Sequence, residues 1–134
     1  VLMCWTLDPA SGRSFSDYFP GDDVVETIGW DCYSEPSADE AYESPEELYG
    51  SAIATSRGLG LGWGIAETGS VMASVDPTGA LRADWLRDAG LYLADEGAQF
   101  VAYFDSPVGG EFRLLDRPSQ RAWRDVIERF GATS

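Results

Sequence analysis

Leu61-Gly62-Trp63-Gly64-Ile65-Ala66-Glu67-Thr68-Gly69-Ser70 sets how the rest of the chain is read. It has the pattern of a short buried strand that ends on the carboxylate of Glu67 and breaks at a glycine. Parallel α/β proteins do their chemistry at the C-terminal ends of such strands. An ionised carboxylate buried elsewhere would cost on the order of several kcal/mol unless paired or neutralised. Alone, such a Glu fits a rim or cap residue as well as a catalyst.

Just before this strand, Gly58-Leu59-Gly60-Leu61-Gly62 has the look of a phosphate loop. The spacing is not G-x-G-x-x-G, and a dinucleotide fingerprint follows its strand, whereas these glycines precede one. They read as close packing and a turn into the strand. Further upstream, Ser44-Pro45-Glu46-Glu47 is a capping box with Pro at the first helical position. Leu48, Ala52 and Ile53 supply that helix's inward face, and Gly58 is its expected stop.

Val24 to Tyr33 reads as a strand with two faces. Ile28, Trp30 and Cys32 share one face; Gly29, Asp31 and Tyr33 share the other. Val1 to Leu7 is an apolar run of strand length, followed by loop signals at Asp8-Pro9 and Ser11-Gly12. No long helix fits between Leu7 and Val24. Downstream, a helix is expected from Ala80 to Asp95, with Leu81, Trp85, Ala89 and Leu93 at helical spacing and Gly97 after it. Phe100 to Phe104 is a further strand ended by Asp105. A last helix starts at Pro118 or Ser119, with Trp123, Val126, Ile127 and Phe130 inward and Gly131 after it. Strand, short crossover, strand, helix, strand, helix, strand, helix implies α/β architecture with a parallel sheet and right-handed crossovers. No linker divides residues 1–134, which read as a single partial domain.

Composition bounds the function. The 134 residues are 44% hydrophobic and 13% aromatic, enough for a core and against disorder. Asp and Glu number 23 against 9 basic residues, a formal charge of −14, and no basic patch for nucleic acid or anionic membrane is visible. The chain contains no Lys and no His, so Ser-His-Asp catalysis and His-containing zinc sites cannot be completed within it. No metal or cofactor is expected. Acid-base chemistry must rest on carboxylates, tyrosines or the thiols of Cys4 and Cys32, which lie in apolar runs and read as buried free thiols. No run reaches the ~18 apolar residues of a membrane span, and no signal peptide is present. The chain opens at Val1 inside an apolar run, which points to residues before it.

The strand ends thus carry Asp31 and Tyr33, then Glu67, then Tyr103 and Asp105. Carboxylates and aromatics on one rim suit carbohydrate chemistry. Four segments carry a family likeness: Asp17 to Tyr33 (DYFPGDDVVETIGWDCY), Gly62 to Ser70 (GWGIAETGS), Leu81 to Gly90 (LRADWLRDAG) and Phe100 to Ser106 (FVAYFDS). In this order they resemble the C-terminal half of a (β/α)8 glycoside hydrolase of the family 26 β-mannanase type. Val1 to Leu7 would be the fifth strand, and the others the sixth to eighth.

The resemblance implies a retaining glycoside hydrolase cleaving a β-linked, mannan-like polysaccharide, secreted as a full-length protein. Glu67 matches the nucleophile and Tyr33 the tyrosine that orients it. Tyr103 or Phe104 would line the sugar site, with Asp31 and Trp63 as further candidates for substrate binding. Asp31 also reads as a buttress, Asp105 as structural, and Trp63 as a residue packed within the barrel. The family's general acid/base ends the fourth strand, which this chain lacks. Retaining hydrolysis needs two carboxyl groups roughly 5 Å apart, so the N-terminal half of the barrel is the implied partner and the isolated chain is expected to be inactive. Two alternatives stand beside this: a non-catalytic carbohydrate-binding or assembly half-barrel module, and a small doubly wound α/β domain with Tyr33 far from Glu67.

Overall fold

Residues 2–5, 15–37 and 40–131 are described in the computed structural model, with residues 2–5 as backbone alone. Strands β1 (Leu2–Trp5), β2 (Thr27–Ser34), β3 (Gly62–Ser70) and β4 (Val101–Tyr103) alternate, after a single 3-10 turn at Phe15–Asp17, with helices α1 (Pro45–Leu59), α2 (Ala80–Asp95) and α3 (Arg117–Phe130). The loop expected at Asp8–Gly12 and the Cys4 thiol lie outside the described residues. The fold is α/β, and its open sheet is parallel throughout in the order β1-β2-β3-β4.

That order has a physical consequence. Each right-handed crossover to an adjacent parallel strand, always in the same direction, leaves its helix on the same side of the sheet. A doubly wound sheet needs a reversal of strand order, and the described strands contain none. Accordingly Val25, Ile28, Trp30, Trp63 and Ile65 pack on Tyr49, Ala52 and Ile53 of α1 and on Ala89 and Leu93 of α2. Ala83, Trp85 and Leu86 of α2 continue this layer onto Ala122 of α3, with Tyr103 and Trp123 against them. Burying a side chain such as Ile28 or Ile65 contributes about 1.5–3 kcal/mol. Two large buried side chains have their polar tips satisfied: Trp30 Nε1 donates to Ser56 Oγ at 2.8 Å, and the Tyr49 and Thr68 hydroxyls meet at 2.8 Å.

The helix signals act where expected, with shifts at the ends. Ser44 and Glu47 close the capping box, and Pro45 begins α1. Gly58 does not stop it. The helix runs on to Leu59, and Gly60 takes the left-handed turn at φ 68°, donating to the carbonyls of Arg57 and Ser56. A residue with a Cβ would strain there. Val24 and Val25 belong to a turn on Gly21, not to β2. Leu81, expected inward, is 46% exposed, while Leu86 and Ala83 fill the core. On α3, Ile127 is 53% exposed and Ala122 takes the inward position. Ser119 and Ala122 are small, so α3 approaches α2 closely, and Val126 sits over Gly90.

Candidate functional site

Glu67 reaches its position through an irregularity that strand periodicity does not announce. Trp30 pairs laterally with Ile65, but Asp31 pairs with Glu67, leaving Ala66 as an extra residue in β3. Strict alternation would put Glu67 on the face of Trp63 and Ile65, among the helices. The bulge resets the alternation. Glu67 and Gly69 then share the helix-free face with Asp31 and Tyr33, while Thr68 turns back to Tyr49 of α1. β3 also continues through Gly69 to Ser70, so Glu67 lies near its C-terminal end and does not end it.

On this face the Tyr33 hydroxyl donates to Glu67 Oε2. Among the described residues nothing donates to Oε1. Phe104 stands edge-on to the Tyr33 ring, with centroids 5.7 Å apart, and Phe112 lies 5.0 Å from it. The face is otherwise floored by glycines. At Gly64 a Cβ would stand 2.6 Å from the Phe100 ring, so only glycine lets that ring lie on the sheet. The result is a half-buried carboxylate gripped by a phenol and walled by aromatic rings, at the C-terminal end of parallel strands.

The structure separates the other candidate residues. Glu67, Tyr33, Asp31 and Phe104 share the helix-free face. Trp63 does not: it is buried in the helix-side core with Ile65, because it precedes the bulge and keeps Ile65's phase. Tyr103 also points to the helices. Its ring packs on Trp123 at 5.3 Å, and its hydroxyl donates to the Phe112 carbonyl at 2.7 Å. Between Tyr103 and Phe104, Phe104 is therefore the one beside Tyr33. Asp105 is structural, its Oδ1 accepting from the Leu114 amide at 2.8 Å.

Sequence reasoning missed Phe112. It lies in a loop without periodicity, and its only signal was an aromatic in the Gly-Gly-Glu-Phe run. It also missed the latch behind the strand ends. Arg82, 2% exposed, donates to Ser119 Oγ, to the Ser70 carbonyl and to Asp116 Oδ2 at 2.5 Å. Asp116 also caps α3 through the Ser119 amide. Burial works to raise the Asp116 carboxyl, but the Ser119 amide and the Arg82 guanidinium outweigh it and hold it below the usual range.

Beside the site, burial pushes the Cys32 thiol up to about 12, and the carboxylates of Asp31 and Glu43 add to the shift. Among the described residues no group of Cys, Asp and Glu is placed to hold a metal ion. None of their helices is long and apolar enough to cross a membrane. No family model matches the chain, and no curated protein matches it significantly.

Proposed function

We propose that this chain is part of a retaining glycoside hydrolase acting on a β-linked, mannan-like polysaccharide, with Glu67 as nucleophile. The observation that carries the reading is the Tyr33 hydroxyl donating to Glu67 Oε2 on the helix-free face. A nucleophilic carboxylate must present one oxygen to the anomeric carbon in a fixed direction. A phenol bonded to the other oxygen supplies that constraint. Phe104 offers a ring beside the pair for a sugar to stack on. The one-sided helix layer is what the second half of a (β/α)8 barrel requires.

In the first step a Glu67 oxygen attacks the anomeric carbon and the glycosidic bond breaks. A carboxylic acid from outside this chain protonates the departing oxygen. In the second step water attacks the same carbon, the conjugate carboxylate takes its proton, and Glu67 leaves as a carboxylate. The N-terminal half of the barrel would bring that acid and cover the open edge of β4. A secreted full-length enzyme fits such a substrate.

The test uses the full-length protein on β-mannan. Glu67→Ala should abolish release of reducing ends, and a 2-deoxy-2-fluoro-glycosyl inactivator should label the peptide carrying Glu67. Undiminished turnover by Glu67→Ala would sink the assignment. Binding of mannan with no hydrolysis by the unsubstituted protein would favour a carbohydrate-binding module in its place.

A further inference from the structure

We infer that Phe112 is a positioning residue that holds the Tyr33 phenol against Glu67, delivered to the helix-free face by the loop between β4 and α3. The kinetic consequence rests on the reading of Glu67 as nucleophile; the geometric one does not.

Phe112 is 3% exposed, so it offers no face to a ligand. Nor does it belong to the helix layer. Its ring lies 5.0 Å from Tyr33 and 6.1 Å from Phe104, and those two stand 5.7 Å apart. Three rings in mutual contact restrain one another's rotation. A phenol ring so held swings its hydroxyl off the carboxylate only if a neighbour yields, and close-packed neighbours yield reluctantly.

The loop is built to hold this ring. The Phe112 amide donates to the Ser106 carbonyl at 3.1 Å, and the Phe112 carbonyl accepts from Tyr103 Oη at 2.7 Å. On the far side Asp105 Oδ1 takes the Leu114 amide, and Gln120 Nε2 donates to the Leu114 carbonyl, each at 2.8 Å. Beneath the ring is Gly69, the lateral partner of Tyr33, where an added Cβ would stand 3.2 Å from Phe112 Cδ1. Phe112 therefore seats on the β3 backbone beside Tyr33, closer than a Cβ at 69 would comfortably allow. Tyr103, on the opposite face of the sheet, takes part by tethering the loop.

The experiment is a pair of double-mutant cycles in the full-length protein. The first reads kcat/KM on a β-mannan oligosaccharide for Phe112→Leu, Tyr33→Phe and both together. Phe112→Leu alone should lose on the order of tenfold, as misplacement of a reacting group does. In the Tyr33→Phe background it should lose less than about twofold, because residues acting through one another are not additive. Losses that multiply would overturn the inference, as would no loss at all.

The second cycle needs no activity. With tyrosine labelled by carbon-13 at Cζ, Glu67→Ala should move the Tyr33 signal in the unsubstituted protein and move it far less with Phe112→Leu. Equal movement in both backgrounds would overturn the inference even if hydrolysis is never observed. Failure of Glu67 to take a glycosyl label would end the hydrolase reading and leave this second cycle to decide on Phe112. Should Phe112→Leu not fold, Phe112→Met keeps the volume but removes the rigid ring, and both cycles run with it on the same criteria.

Discussion

Glu67 is the lateral partner of Asp31, although Ile65, two residues earlier, is the partner of Trp30. Two residues of β3 thus span one step of β2, and Ala66 is the surplus. Deleting Ala66 should regularise the ladder and leave every later side chain on its present face. Deleting Gly64 should not, because Trp63 or Ile65 must then leave the helix layer. Loss of such a buried group costs about 3 kcal/mol or more. Thermal unfolding should therefore rank the Ala66 deletion well above the Gly64 deletion. Equal melting of the two would mean that Ala66 does not set the phase of the strand.

Tyr33 touches Glu67 through a single hydroxyl, so Tyr33→Phe removes the contact while keeping the ring against Phe104 and Phe112. On the proposed reading of Glu67 as nucleophile, this should lower kcat of the full-length protein on the order of a hundredfold, the usual scale for losing one preorganised donor. KM should stay close to its starting value, since Tyr33 is bonded to Glu67. Steady-state kinetics separates the two. An unchanged kcat would remove Tyr33 from the machinery.

The Arg82–Asp116 pair joins α2, α3 and the end of β3. Arg82 is almost wholly buried, with Asp116 at 14% exposure. Removing one partner of such a pair strands the other, at a cost of about 3 kcal/mol. Arg82→Met should show this loss in denaturant titration. Acid should erode the same contribution. The Asp116 carboxyl is depressed in the folded state, so its stabilisation is fully present above the unfolded value of about 3.9. It is lost as pH falls through the lower folded value. Asp116→Asn should thus be less stable than the parent at pH 7, and the gap should narrow below about pH 4. A constant gap from pH 7 to pH 2 would contradict the assignment.

Legibility followed the physics of each element. The capping box at Ser44, the alternation of Ile28 and Trp30 against Asp31 and Tyr33, and the limits of α2 are local signals, and they stood in the sequence at those residues. So did the nearness of Tyr33 and Glu67, though only through a likeness to other chains. The bulge at Ala66 was not legible, because Ile-Ala-Glu alternates as well without it as with it. Trp63 and Tyr103 stand among the substrate-binding candidates in the sequence because aromatics near strand ends look alike until the phase of each strand is known. The Arg82 latch reaches α3 and the loop before it over 31 to 37 positions in sequence, and Phe112 meets Tyr33 from a distant part of the chain, separations that no window of periodicity spans.

Cys32 offers a test of the electrostatics next to the site. Its thiol lies partly buried, beside Asp31 on the same strand, and burial first and the neighbouring carboxylates second push it up to about 12. Reaction with iodoacetamide requires the thiolate. In a Cys4→Ser variant at pH 8, alkylation of Cys32 should therefore run about a hundredfold or more slower than for an ordinary thiol. Urea should restore the ordinary rate. The linkage has a definite sign. A thiol raised in the folded state favours folding fully below the unfolded value of about 8.5. That contribution falls away as pH rises from there toward 12. Replacing Asp31 by Asn removes the largest named charge acting on Cys32, so alkylation should speed up in Asp31→Asn with burial unchanged. An identical rate in the two proteins would leave burial and the Glu43 carboxylate as the causes and would mean that the Asp31 carboxylate does not act on the thiol.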